Sequence, residues 1–286
     1  MHVMPLELEM FSKFITSYKH SFDYLDENDD VTMYVTLNLN PEITDWENSE
    51  LKPQWLIDKF TNITNGLGLY TEIITDTSLG GTLHQKQKAI KMDYDQFLFI
   101  DPDMLINEKH LKLMLIASDK LSGPFVIASN IPRIWDASWD ILVHKDDLNQ
   151  PLNQHKNQKI IDGVFTQNVT EVNLRRLNRF KFATGWNVLY SKQLWDLVGI
   201  PNEFRGYGVE DDYAMHASEI SRRYGVDVKQ YVLDGIYIVE ATEKDYRIPS
   251  YVDKIKNIDK KDQNKEYGRY IMRRLLKKFE QSYLNK

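Results

Sequence analysis

The feature that most constrains this chain is the stretch Phe97 to Ile106, FLFIDPDMLI. Phe97, Leu98, Phe99 and Ile100 follow one another without polar alternation, the pattern of a strand buried on both faces of a parallel sheet. Pro102 has no N–H to give a central ladder and fixes its own φ at about −65°, so the strand must stop at Asp101-Pro102-Asp103. Two carboxylates are left at its carboxyl edge, where ligands of open α/β sheets bind. Hard oxygen ligands so held suit Mg2+ or Mn2+, with phosphate oxygens completing the octahedron. An Asp-x-Asp triplet alone more often marks a solvated turn; the buried run ahead of it favours the metal.

The chain around this strand alternates. Met4 to Tyr24 has helical apolar spacing at Leu6, Met10, Phe11, Phe14, Ile15, Tyr18 and Phe22. After an acidic connector, Val31 to Leu39 is β-rich and ends at Asn38-Leu39-Asn40-Pro41. Trp55 to Leu67 reads as a helix closed by Gly66 and Gly68, Tyr70 to Ile74 as a strand ending before Asp76, and the segment after Gly80-Gly81 as a further helix. This β-α-β-α-β order predicts a doubly wound, mainly parallel sheet. Asp76 is placed to meet a base or ribose, with a helix cap as the equal alternative, and Lys86, Lys88 and Lys91 could face a diphosphate or simply be solvated. Asn107 to Lys120 predicts a helix and Pro124 to Asn130 a strand. The aperiodic stretch 131–169, with Trp135, Trp139, His144 and His155, reads as a functional lid or a disordered segment. Asn173 to Lys181 is locally basic.

Size and composition limit the function classes. A chain of 286 residues with 42% hydrophobic and 27% charged residues suits one large domain with a helical annex. No apolar run approaches ~18 residues, and MHVMPLELEMFSKF lacks a cationic start and a small-residue cleavage site, so the expected place is the cytoplasm, the host's if the protein is viral. Zero cysteines exclude disulfides, thiolate zinc and a cysteine nucleophile. The net charge of −6 hides an asymmetry, because Val252 to Lys286 carries eleven Lys or Arg against five Asp or Glu. Asn264 to Leu284 has helical apolar spacing with Arg273, Arg274, Lys277 and Lys278 elsewhere, a basic amphipathic tail that could pack on the body, meet anionic lipid or lie along nucleic acid.

A second acidic cluster lies far downstream. Phe182 to Gly199, FATGWNVLYSKQLWDLVG, reads as a turn, a strand and a helix, and leads through Ile200-Pro201-Asn202 to Gly206-Tyr207-Gly208-Val209-Glu210-Asp211-Asp212. The acids open a helix that carries Ala214, Ala217, Ile220 and Tyr224 inward and ends at Gly225. The macrodipole favours acids in a first turn by about 0.3–1 kcal/mol each, which explains one better than three in succession. With Gly206 and Gly208 beside Tyr207, the functional reading is an acceptor site with a general base.

The span Phe182 to Tyr213 resembles the acceptor region of the inverting β-1,4-galactosyltransferase family. There a glycine-bearing turn precedes a Ser-Lys helix, a Phe/Ile-Pro-Asn and a Gly-Trp-Gly-Gly-Glu-Asp-Asp; here the elements are Gly185, Ser191-Lys192, Ile200-Pro201-Asn202 and the run ending in Asp212. Phe97 to Asp103 resembles the metal motif of GT-A glycosyltransferases. The resemblance implies a GT-A-type, Rossmann-like α/β catalytic domain over 1–250, with a nucleotide-sugar half near 30–130, an acceptor half near 170–245 and a helical tail over 251–286. It implies Asp211 as the base, with Glu210, Asp212, Tyr207 and Gly208 on the acceptor. Thr36, Asn38, Asp76, Lys88, Asp101, Gly185 and Trp186 would serve the nucleotide sugar, and Asp101 and Asp103 the Mn2+ or Mg2+. The family's further metal ligand is a histidine on the strand after the acceptor helix; QYVLDGIYIVE, Gln230 to Glu240, has none, and Glu240 lies nearest that place.

The expected activity is metal-dependent, inverting transfer of a hexose or pentose from a nucleoside diphosphate, UDP first, to a saccharide or lipid-linked saccharide. The alternative acceptor is a hydroxymethylated base in bacteriophage DNA, an activity of DNA modification. A nucleotidyltransferase would want a glycine-rich phosphate loop after the first strand, which is missing. A non-catalytic metal- or carbohydrate-binding module is the rival of another class.

Overall fold

The computed structural model describes residues 1–40, 52–75, 86–130, 163–164, 166–177, 187–204, 209–240 and 258–285. Its first strand, β1 (His2–Val3), precedes a 3-10 turn (Pro5–Glu7) and α1 (Leu8–Asp23). The helix expected from Met4 therefore starts later, because Pro5 opens a tighter turn. β2 (Tyr34–Asn38), α2 (Pro53–Thr64), β3 (Tyr70–Ile74) and β4 (Gln96–Ile100) follow in the expected β-α-β order. β2 pairs in parallel with β1 on one side and β3 on the other, giving a three-stranded parallel unit. Leu8, Phe11, Ile15 and Tyr18 of α1 recur at helical spacing and are buried against Leu56 and Phe60 of α2 and Val35 and Leu37 of β2.

The second unit is a mixed sheet. β6 (Phe125–Asn130), β7 (Asn173–Arg176), β8 (Asn187–Ser191) and β9 (Lys229–Tyr237) join β4 in the order β4-β8-β6-β9-β7. β6 and β9 are parallel, whereas β8 runs antiparallel to both β4 and β6. Phe97, Phe99 and Ile100 are buried as their sequence demands, but the strand that covers their edge is antiparallel. Burial on both faces produces the apolar run, and the run does not report the partner's direction. The architecture is mixed α/β with parallel strands and flanking helices, consistent with the GT-A-type class.

A short pair completes the site edge. β5 (Met104–Leu105) follows directly on Asp101-Pro102-Asp103 and pairs antiparallel with β10 (Val239–Glu240). α3 (His110–Ser118) returns the chain to β6, and Ser191 caps α4 (Lys192–Val198) by accepting from the Leu194 N–H at 3.2 Å. Gly225, with φ of 89°, lets the chain leave α5 (Glu210–Arg223) for β9, a conformation that an L side chain would strain.

The arginines of β7 do not form a free basic surface. Arg175 pairs with Asp234 at 2.7 Å and Arg176 with Asp227 at 3.3 Å. The tail forms α6 (Ile258–Leu284), whose Met272 and Leu275 enter the core shared by β4, β6, β8, α4 and α5. Tyr283 donates to Ser221 Oγ at 2.8 Å and stacks on Tyr224, which is half exposed rather than inward. Arg269, Arg273, Arg274, Lys277 and Lys278 face outward, and Tyr267 is exposed rather than part of the apolar side. No described helix is long and apolar enough to cross a membrane.

Because Leu275 is only 8% exposed in that shared core, Leu275→Ala should cost about 2–4 kcal/mol in chemical denaturation. A loss below about 0.5 kcal/mol, the range of an ordinary surface change, would show that α6 does not complete the core.

Candidate active site

One lysine pairs with the second acidic motif and lies beside the strand that ends in the first. Lys86 begins a helical turn over 86–89, and its Nζ lies 2.6 Å from Oδ2 of Asp211 in the first turn of α5. The Lys86 side chain is 3% exposed and that of Asp211 19%. Burial works against the ammonium, but Asp211, Glu210 and Asp101 together outweigh it and raise the Lys86 pKa above its ordinary value. Lys86 is thus a charged group set between the carboxyl edge of β4 and the start of α5.

An aromatic wall holds this pair. Phe99 of β4, Tyr190 of β8 and Trp195 of α4 pack with ring centroids 4.7–5.9 Å apart. Lys86 Nζ sits 5.2 Å from the Phe99 ring centroid, within cation–π range. The Tyr190 hydroxyl donates to Oδ1 of Asp211 at 3.2 Å. Burial and then Asp211 push the Tyr190 pKa well above its usual value, so it remains a donor. Both oxygens of Asp211 are therefore engaged, one by an ammonium and one by a phenol. Gln87 ties the helical turn to the opposite side of the site through Ile200 O at 3.2 Å and Asn202 Oδ1 at 2.5 Å.

Asp101 and Asp103 leave β4 as expected. Asp103 is 8% exposed, and the Asp101 backbone carbonyl accepts from the Tyr18 hydroxyl at 3.3 Å. Burial first, then Asp103 and Glu7, push the Asp101 carboxyl well above the usual carboxylate range, with Lys86 acting in the opposite sense. Glu210 is 2% exposed and likewise raised, chiefly by burial, while Lys86 holds it down. Among the described residues no group of three or more His, Asp or Glu side chains is gathered as a metal cluster. The Glu240 side chain lies outside the description, but its backbone is in register with Met104, one residue after Asp103. Asp101 and Asp103 are described carboxylates at this edge, and carboxylate oxygens are donors of the kind a hard divalent cation takes.

The other expected residues divide. Thr36 and Asn38 are buried on β2; Thr36 Oγ1 lies 3.3 Å from His2 Nδ1, and Asn38 Oδ1 accepts from the Asn40 N–H at 2.9 Å. Lys88 points away from the site to Glu72 at 2.7 Å and is 44% exposed, whereas Lys86, two positions earlier on the same turn, faces inward. The sequence reading names Lys88 for the nucleotide sugar, but Lys88 pairs with Glu72 and it is Lys86 that meets Asp211. Tyr190, inside the segment that resembles an acceptor region, carries no sequence mark that separates it from a core aromatic. Asp212 follows Asp211 in the first turn of α5. Asp76, Gly185, Trp186, Tyr207 and Gly208 lie outside the described residues, as do Trp135, Trp139, His144 and His155 of the 131–169 stretch.

No protein-family model and no curated protein matches the chain. Among solved structures, residues 1–349 of S. aureus TarS align over 81% of this chain and 56% of that one, with 14% identity and a TM-score of 0.45. GalNAc-T7, solved with UDP, GalNAc and Mn2+, aligns over 76% of this chain and 38% of that one, with 11% identity and a TM-score of 0.41. The chain spans little more than half of the first structure and well under half of the second. At these scores the likeness carries no function across.

Removing one partner of the buried pair leaves the other charge uncompensated. Lys86→Gln should cost about 3 kcal/mol in urea denaturation, and adding Asp211→Asn should restore part of that loss. A single variant as stable as the wild type would show that the pair is not held out of water.

Proposed function

We propose that the chain is a metal-dependent glycosyltransferase that moves a sugar from a nucleoside diphosphate, UDP first, to an acceptor hydroxyl with inversion. The observation that carries this reading is the buried Lys86–Asp211 pair, which sets the start of α5 beside Phe99 of β4, the strand that ends at Asp101. One motif leaves its acids at a strand's carboxyl edge, the other at a helix start. The work divides into a nucleotide-sugar half near 30–130 and an acceptor half near 170–245.

In the proposed reaction Asp211 takes the proton of the acceptor hydroxyl as its oxygen attacks the anomeric carbon opposite the diphosphate. The new glycosidic bond forms as the bond from carbon to phosphate oxygen breaks, the electron pair leaves with the diphosphate, and the configuration inverts. Tyr190 keeps Asp211 aimed, and Glu210 and Asp212, with Tyr207 and Gly208, orient the acceptor. Asp101, Asp103 and Glu240 would hold Mn2+ or Mg2+, which when bound neutralises charge on the leaving diphosphate. Thr36, Asn38, Asp76, Gly185 and Trp186 would shape the donor pocket. The expected acceptor is a saccharide or a lipid-linked saccharide. The outward basic face of α6 favours a second reading, in which the acceptor is a modified base of duplex DNA.

The purified chain with Mn2+ should release UDP slowly from one member of a UDP-sugar panel, water replacing the acceptor, and a chelator should abolish the release. No turnover together with no metal-dependent nucleotide binding would move the non-catalytic module to the front. Asp103→Ala should weaken Mn2+-dependent UDP binding, and unchanged affinity would count against its metal role. Asp211→Asn should retain the nucleotide while losing at least about 10²-fold in transfer, and full activity would remove the assignment of the base. Salt-dependent retention on duplex DNA would support the second reading, and no retention at low salt would end it.

A further inference from the structure

We propose that Lys86 serves two partners in turn, Asp211 and the diphosphate of a nucleoside diphosphate donor, so that engaging the donor draws it off the base. This step rests on the glycosyltransferase reading and adds a coupling between its two halves.

The geometry supplies both ends of the exchange. Lys86 Nζ holds Asp211 Oδ2 at 2.6 Å in the structure as it stands. The same ammonium lies 5.2 Å from the ring centroid of Phe99, two residues before Asp101 on β4, so it stands beside the strand that ends in the first acidic motif as well as on the second. A lysine is a point charge on a four-carbon stem and can swing between partners without repacking a planar fork. A diphosphate offers it more negative charge than one carboxylate does. Asp211 is not lost when the lysine leaves, because Tyr190 holds its other oxygen at 3.2 Å from a separate strand. Lys88 is engaged by Glu72 and Lys91 is exposed, so Lys86 alone of these three faces the site.

The two positions of the ammonium have opposite consequences. On Asp211 it occupies Oδ2, so that oxygen is not open to an acceptor hydroxyl. On the diphosphate it leaves the carboxylate free and adds positive charge where the leaving group becomes more anionic. Lys86 would touch the donor itself and is in that sense a catalytic residue.

Calorimetric titration of UDP in the presence of Mn2+ tests the exchange on the full chain, comparing wild type, Lys86→Gln, Asp211→Asn and the double variant. Lys86→Gln should bind UDP about tenfold more weakly. Asp211→Asn should bind it severalfold more tightly, because the ammonium is set free, and this gain should vanish in the Lys86→Gln background. An equal gain in both backgrounds would show that Asp211 acts on the nucleotide only through its own charge and would overturn the proposal. So would an Asp211→Asn variant that binds no more tightly than wild type. If Lys86→Gln fails to fold, the charge-balanced double variant is compared with Asp211→Asn; the double should be about tenfold weaker, and equal affinities overturn the exchange. A wild type that binds no UDP overturns the donor reading and this coupling together, whereas a wild type that binds UDP with all variants equal overturns the coupling alone.

Discussion

The arrangement depends on one buried ion pair. Lys86 and Asp211 meet at 2.6 Å with the lysine almost wholly excluded from water. Taking both charges out of solvent is unfavourable, and their attraction repays it only where geometry is good and further partners are present. Those partners are specific: the Tyr190 hydroxyl on the second oxygen of Asp211, and the face of Phe99 beneath the ammonium. Lys86 acts on Asp211, Glu210 and Asp101 together. Asp101 and Glu210 are already pushed up by burial and by neighbouring acids. Lys86 opposes that shift in both groups and is a cation supplied by the chain itself.

The packing that fixes the pair comes from strand order. β8 sits antiparallel between β4 and β6, placing Tyr190 opposite Phe97 on one side and Val126 on the other. Trp195 then closes over Tyr190 and Phe99 from α4, whose start is capped by Ser191. α5 can bring its first turn against this wall because the face it buries includes Ala214, Ala217, Ser218 and Ser221, small enough for close approach. α6 seals the far side through Met272 and Leu275. The position of Asp211 is thus set by apolar contacts spread over the C-terminal half, while that of Lys86 is set by a helical turn tied to Ile200 and Asn202 through Gln87.

Much of this was legible in the sequence. The apolar run of β4 stopped by Pro102, the exact span of β3 from Tyr70 to Ile74 and the helix from Glu210 to Gly225 all follow from local rules of periodicity, proline and glycine. What could not be read were facts about partners. An apolar run reports burial and not strand direction, so the antiparallel β8 beside β4 was hidden. Three lysines within six residues look alike until a tertiary contact separates them, and only then does Lys86 turn inward while Lys88 meets Glu72. The arginines of β7 read only as locally basic in the sequence because their partners, Asp227 and Asp234, are distant along the chain.

The same distinction bears on the third acidic position. Glu240 was noticed because the strand after the acceptor helix lacks a histidine, and position in the chain gave nothing more. Pairing of β10 with β5 adds a physical constraint, since the antiparallel register that aligns Glu240 with Met104 carries its backbone alongside the residue that follows Asp103. β5 exists only because Pro102 ends the long strand and the chain resumes pairing two residues later with a different partner. Proline therefore does two things at this edge: it exposes the two aspartates at the end of one sheet, and it turns the chain into a second, two-stranded ladder that brings an acidic segment back beside them. A carboxylate in that place, rather than an imidazole, would make the ligand set wholly oxygen, the set that hard divalent ions prefer.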